Sequence, residues 1–291
     1  MTKKEKETGR KTWKHWEIDG IKLFGRDRME VLRVIAGWLG EKGEKKVRLV
    51  ATVNPEFVMA AEKDGEFLAI LQEETDLNVV DGIGLVWARA LDEKFQETNS
   101  KKQTITNDQL RKFKTVVRRL VIGFWVGVEI LQGKHREKLV PGAELMDGMM
   151  GLGYTVGFLG GWANAAEGTE EYFKSKYGGL KSVVIGSEYD GKTDKIMEVL
   201  EKNKVRVVLV AYGMCKQEKW MVKHREMLAR VGVRVAMGVG RSFDYYGGSL
   251  PRASGWMRDR GLEWLYSLVT DKSRRKRKLE LIKFIIKIIK N

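Results

Sequence analysis

Six short apolar runs, separated by stretches of helical periodicity, constrain this chain more than any other feature. They are Val47 to Val53, Leu77 to Val80, GYTVGFLGG, SVVIG, VRVVLVAYG and VRVAMGVG. Runs of this length, rich in β-branched residues and bounded by Gly, read as buried strands. Between them, apolar-periodic helices are predicted over about Pro55 to Glu73, Asn164 to Lys176, Lys192 to Lys202 and Trp220 to Val231. Strands alternating with helices imply βαβ units and a mostly parallel sheet flanked by helices. With 32 Gly against 3 Pro, tight turns between elements are well supplied. The 291 residues suit one large domain, or a domain with an appendage.

The formal net charge is +15, which calls for an anionic partner: nucleic acid, an anionic bilayer or a phosphate-bearing substrate. Cys215 is the single cysteine, so no disulfide forms within the chain and a reducing compartment is expected. The N-terminal MTKKEKETGRKTWKHW is basic without an apolar segment; residues 1–16 read as a flexible basic leader, not a secretory signal. No run of ~18 uncharged apolar residues suggests a membrane span. His15, His135 and His224 lack ligand spacing, so no metal site is expected.

Two segments break the βα rhythm. One is an insert at about 95–138, polar, then basic, then apolar in VVRRLVIGFWVGVEIL. It reads either as a buried helix or as a membrane-contacting element. The other is the C-terminal stretch, residues 251–291. From Lys272 on it carries nine Lys or Arg against one Glu, including Arg274, Arg275 and Arg277. It then becomes LELIKFIIKIIKN, where Lys283, Lys287 and Lys290 form a stripe and Ile285 and Ile286 belong to an apolar surround. A basic amphipathic helix beside a polybasic block fits an anionic membrane interface, each basic residue contributing roughly 1 kcal/mol. Packing of that helix on the domain is the competing reading. Nucleic acid is not expected, because the basic block runs into aliphatics and not stacking aromatics.

Ligands of open α/β sheets bind beyond the carboxyl ends of the strands. Five sequence features fall there: Thr52-Val53-Asn54, Asp81-Gly82, Gly160-Gly161 with Asn164, Gly213 through Gln217, and GVGRSFDYYGG. Gly-rich turns opening helices expose N–H groups that cradle phosphates. Taken singly, each is also ordinary turn punctuation, and an Asp such as Asp81 alone is more often a turn or cap residue than a base. Cys215, next to Lys216, reads as a turn residue or a reactive thiol.

Taken in order, TVNPEFVMAAEKD, NVVDGIGLVWA, VPGAELM, VGFLGG, YGMCKQEKWM, GVGRSFDYYGGSLPRASGWM and GLEWLYSL resemble the WecG/TagA/CpsF glycosyltransferases. The resemblance runs from about Val47 over nearly the whole chain except the insert. It implies a Rossmann-like catalytic domain, placed here at 17–250, and a C-terminal membrane-associating appendage at 251–291. It implies an inverting, metal-independent transfer of N-acetylmannosamine or a related hexose from UDP to undecaprenyl-diphosphate-linked N-acetylglucosamine, with no cofactor, at the cytoplasmic face of the cell membrane. Products of the family feed teichoic acid and other surface polysaccharides, and oligomers are permitted. By motif, Asp81 is the general base, with Thr52 and Asn54 orienting the sugars. Gln217 and Asn164 contact substrate. Gly160, Gly161, Gly213, Gly238 and Gly240 admit the UDP backbone, and Asp244 lies near the nucleoside. Arg252 and the appendage's basic residues balance the leaving diphosphate.

The chain departs from the family pattern at several positions. The usual Arg before VPGAEL is absent, Leu139 preceding Val140 there, and Arg136 or Lys138 is the candidate replacement. Glu144 stands for Asp, Cys215 for Pro, Arg241 for a small residue, Ser254 for Pro and Ser267 for Arg. The alternative to an enzyme is a non-catalytic relative that docks on membrane or nucleic acid. A nicotinamide enzyme is disfavoured, because no G-x-G-x-x-G follows the first strand.

Overall fold

The computed structural model describes residues 15–41, 43, 46–99, 108–186, 191–270 and 278–290. An eight-stranded sheet runs through it in the order β1-β2-β4-β3-β8-β7-β5-β6. The strands are β1 (His15–Ile18), β2 (Ile21–Phe24), β3 (Arg48–Val53), β4 (Leu77–Val80), β5 (Val156–Gly160), β6 (Ser182–Ile185), β7 (Val207–Ala211) and β8 (Val235–Gly238). Only β1 runs antiparallel to its neighbour; every other pairing is parallel. The six predicted runs are β3 to β8.

The β1–β2 hairpin was not predicted, and it begins inside the expected leader. Its two-residue turn is Asp19-Gly20, both with positive φ (50° and 75°), which is the chemistry a tight hairpin turn requires.

Residue alternation along the strands sorts the core into two layers. Val50, Leu77, Val79, Phe158, Leu209, Val235 and Met237 point to one face. There they meet α1 (Arg28–Gly40), α6 (Gly142–Met150), α7 (Ala165–Lys176) and α11 (Ser242–Tyr246). The intervening residues, such as Ala51, Val53 and Val80, point to the other face. That face is covered by α2 (Pro55–Ala61), α3 (Gly65–Ala69), α4 (Ile83–Asn99) and α14 (Lys278–Lys290) at one end. At the other end lie α8 (Thr193–Lys202), α9 (Lys216–Lys223) and α10 (Arg225–Arg230), packed on Leu49, Leu159, Val208 and Ala236. Burial on both faces is why these strands read as continuous apolar runs.

Two predicted helices are interrupted. The helix expected over Pro55 to Glu73 is α2, then α3, then a π-turn at Ile70–Glu74. Asp64 stops the first and starts the second, its carboxylate accepting the Phe67 N–H at 3.0 Å; a side chain that caps so well competes with helix continuation. The helix expected over Trp220 to Val231 starts earlier, at Lys216, and restarts after His224.

The insert is also helical. α4 continues to Asn99, and α5 (Asp108–Leu131) runs back alongside it. Short helices α12 (Gly255–Asp259) and α13 (Glu263–Thr270) follow the last strand region. Among described residues no helix is long and apolar enough to cross a membrane.

The last helix corrects one expectation. Phe284, Ile288 and Ile289 of α14 are buried in the layer built by α2, α3 and α4. Lys287 is not part of an exposed basic stripe; it is ion-paired with Asp19 and Glu62. Lys283, Ile285 and Ile286 remain exposed. Arg274, Arg275 and Arg277 lie outside the described residues.

Candidate active site

Parallel pairing fixes the centre of the site. In the β3–β4 register Thr52 faces Val79 and Val53 faces Val80, so Asn54 and Asp81, the next residues of each strand, leave the sheet abreast. The Asp81 N–H continues the ladder, donating to the Val53 carbonyl at 2.8 Å. One Asp81 carboxylate oxygen accepts the Gly142 N–H at 2.8 Å, where α6 begins. Pro141, at the cap position, supplies no side-chain bond of its own, so the Asp81 carboxylate caps this helix and meets the positive end of its dipole. Asp81 is half-buried.

Its neighbours are held by internal bonds. The Asn54 side chain accepts the Phe57 N–H at 3.1 Å, capping α2 behind Pro55. Thr52 is buried, and its hydroxyl donates to the Gly238 carbonyl at 3.2 Å, tying β3 to β8. Gly142 leaves no free room for a side chain: an added Cβ would lie 2.9 Å from Thr52 Cγ2. The motif VPGAEL thus holds α6 tightly against the strand end.

Beyond β7, the Gln217 side chain is buried. Its oxygen accepts the Gly240 N–H at 3.0 Å and its nitrogen donates to Glu218 Oε1 at 2.7 Å. Gln217 therefore shapes the turn after β8. Gly238 fits beneath these two side chains only because it lacks a Cβ, which would fall 2.4 Å from Gln217 Nε2. Glu218 is fully buried, and burial pushes its carboxyl up to about 7 against the opposing Gln217 hydrogen bond. Among the described residues its second oxygen has no hydrogen-bond partner. Nothing in the sequence marks Glu218 beyond its place next to Gln217; its burial does. Cys215 opens α9 with φ 68°, and burial foremost, then Glu218 and Asp64, pushes its thiol up to about 11. A thiol held protonated is a poor nucleophile, which favours the turn reading of Cys215.

The remaining predicted glycines are turn-formers. Gly160, Gly161, Gly213 and Gly240 all have positive φ (77°, 106°, 81° and 52°). Asn164 is exposed just before α7 and makes no side-chain cap. Between them Trp162, which the sequence reading did not single out, is 84 % exposed. Asp244 accepts from Arg241 Nε at 2.9 Å and from the Ser249 hydroxyl at 3.3 Å.

Two residues past Gly142, Glu144 is the hub of an arginine cluster. Arg28 and Arg258 reach its carboxylate at 3.2 Å each, Arg252 at 3.5 Å and Arg136 at 4.0 Å. Arg252 also meets Glu263 at 3.3 Å, and Arg136 meets Asp259 at 3.1 Å. Four guanidinium groups face three carboxylates here, two residues along α6 from the Gly142 N–H that Asp81 caps. Arg258 Nε is buried without a hydrogen-bond partner among the described residues. Arg252 and Arg136 were expected at the site; Arg28 and Arg258 were not. Of the histidines, His135 contacts Glu129 at 2.9 Å and His224 contacts the Trp220 carbonyl at 2.8 Å.

The sequence pattern of the Glycosyl transferase WecG/TagA/CpsF family matches residues 16–112 and 116–291. The chain is 25 % identical over 242 residues to an N-acetylglucosaminyldiphosphoundecaprenol N-acetyl-beta-D-mannosaminyltransferase of Bacillus subtilis (strain 168), covering 83 % of this chain and 79 % of the relative. A protein of the same name from Staphylococcus aureus (strain MRSA252) is 26 % identical over 173 residues, 56 % of this chain and 67 % of the relative. The match spans the sheet, the Asp81 turn and the arginine cluster alike, and the chain belongs to the WecG/TagA/CpsF glycosyltransferase family.

Proposed function

We propose that the chain transfers N-acetylmannosamine, or a related hexose, from UDP to N-acetylglucosamine linked through a diphosphate to undecaprenol. The observation that carries this reading is the Asp81 carboxylate, fixed at a strand end beside an arginine-rich cluster. In this reaction the acceptor hydroxyl oxygen attacks the anomeric carbon of the donor, and Asp81 takes its proton. The bond from that carbon to the UDP oxygen breaks, and the diphosphate leaves with the bonding electrons. Attack opposite the leaving group inverts the anomeric centre. Arg252, Arg258, Arg136 and Arg28 balance the charge that develops on the diphosphate, the task a metal ion performs elsewhere. The exposed indole of Trp162 and the turns at Gly160, Gly161, Gly213 and Gly240 receive the nucleotide. Thr52, Asn54 and Gln217 hold the shape of the sugar site.

A lipid-linked acceptor calls for work at a membrane surface, here read as the cytoplasmic face, and a net charge of +15 supports that reading when the lipids are anionic. The chain's family membership supports catalysis over the non-catalytic alternative.

The test is a panel of UDP-hexoses offered with a short-chain lipid-diphosphate N-acetylglucosamine, with and without chelator, products being read by mass spectrometry. One added N-acetylhexosamine, insensitive to chelator, is expected. No product with any donor overturns the transferase reading, and loss of product in chelator overturns metal independence.

A further inference from the structure

Helix α5 is apolar on two sides. Its inner side carries the buried Val126 and Ile130, with the buried Arg119 donating to the Ile288 carbonyl of α14 at 3.1 Å. On its outer side Phe113, Val117, Leu120, Val121, Phe124 and Trp125 recur at i, i+4, i+7, i+8, i+11 and i+12. That spacing is one continuous helical stripe. These residues are between 41 % and 68 % exposed. The adjoining helix α14 adds Leu279, Ile282 and Ile286, also exposed. A soluble surface rarely leaves so large an apolar patch uncovered.

Charge selects what covers it. Lys114 on α5, and Lys283 and Lys290 on α14, are exposed along these helices. Glu129, an acid of α5, is turned to Lys94 and His135. A second copy of a chain with net charge +15 would bring like charge against this surface; an anionic bilayer brings the opposite charge.

Position relates the patch to the active site. α4 begins two residues after Asp81 and is fastened to both platform helices. Trp87 Nε1 donates to the Gly123 carbonyl of α5 at 2.8 Å. Leu281 of α14 comes within 3.5 Å of where a Cβ on Gly84 would stand.

We propose that the outer stripe of α5, widened by the outer side of α14, is a docking surface for an anionic lipid bilayer that presents the Asp81 strand end to a membrane-embedded acceptor. Its purpose rests on the acceptor named above; the docking itself does not. In this arrangement α14 serves as a strut, seating Phe284, Ile288 and Ile289 inward, while α5 meets the lipid. Phe and Trp at an interface are effective anchors.

The experiment is flotation of the full chain with vesicles of phosphatidylglycerol and phosphatidylcholine, and with phosphatidylcholine alone, comparing wild type with the double variant F124S/W125S. Both positions are exposed, so an unchanged melting temperature verifies the fold. Wild type is expected to float with the anionic vesicles, and the variant's partition coefficient to fall at least about tenfold. Turnover of a water-soluble short-chain acceptor is expected to be equal in both, while turnover of an acceptor embedded in vesicles falls with the partition coefficient. Equal flotation of the two proteins overturns the proposal. So does a lipid-free dimer in sedimentation velocity that the double variant dissolves, since the stripe would then be an interface between copies. Normal flotation without turnover of any donor would overturn the transferase reading and leave the docking surface standing.

Discussion

Asp81 and Glu218 both lie near the carboxyl end of the same parallel sheet, in opposite electrostatic settings. Asp81 follows β4, is half-buried and caps α6 through the Gly142 N–H. Glu218 follows β7, is fully buried and has one oxygen without a partner among the described residues. Topology delivered both acids to the carboxyl end of the sheet, where ligands of open α/β folds generally bind. Local surroundings then separated them: Asp81 stays half-buried with a helix N–H on one oxygen, whereas burial drives the Glu218 carboxyl toward its neutral form against the Gln217 hydrogen bond. A position at a strand end therefore nominates a catalytic acid or base, and the hydrogen-bond environment chooses between nominees.

The sharpest way to break this contrast is Asp81→Asn. The amide oxygen still accepts the Gly142 N–H, so the fold and UDP affinity should survive. Turnover should fall about 10²- to 10⁴-fold. Steady-state rates with calorimetric UDP titration check this, and wild-type turnover in the variant would remove Asp81 from the mechanism.

Glu218→Gln should act on stability instead. The ordinary carboxyl value is 4.5 and the folded value about 7. Between those pH values the folded protein keeps a proton that the unfolded chain has released. Stability from this group therefore falls as pH rises through the window, and the whole penalty, about 3 kcal/mol, is present above it. The Gln variant carries no such slope. Urea midpoints should match wild type near pH 4 and exceed it near pH 8; the same difference at both pH values would refute the assignment.

A paired test comes from two glycines. Gly238→Ala drives a methyl to 2.7 Å from Glu218 Oε1, and Gly142→Ala drives one to 2.9 Å from Thr52 Cγ2. Each should lose about 1–3 kcal/mol of stability. Only Gly142→Ala also displaces the N–H donor of Asp81, so it should lose more turnover than its partner for the same loss of stability. Equal turnover losses would mean that the Asp81 contact is merely structural. Asn54→Ala is the smallest expected effect on stability, about 1 kcal/mol from the lost cap of α2, read from denaturant midpoints.

Much of this architecture was legible beforehand because strands buried on both faces write themselves as unbroken apolar runs, as in Val47 to Val53. The β1–β2 hairpin escaped because its strands are four residues each and follow a charged leader; the Asp19-Gly20 dipeptide was its available signal. Asp81, Thr52 and Asn54 could be placed because they directly terminate or extend strands. The arginine cluster could not be assembled in full, since Arg28 and Arg258 reach Glu144 from opposite ends of the chain and no spacing rule records that meeting. Amphipathicity alone left the C-terminal helix open between membrane contact and packing on the domain. It shows that α14 has an apolar side, and only packing reveals that Phe284 faces protein while Phe124 of α5 does not.

The pairing of β3 with both β4 and β8 has a consequence for how the protein is made. Thr52 bonds to Gly238, 186 residues later. Until β8 arrives, β3 presents an open edge of Leu49, Val50 and Ala51 with unsatisfied amides, a template for pairing with another nascent chain. Such distant closure is slow, so the yield of this protein should depend on chaperone supply and dilution during synthesis more than its finished stability suggests.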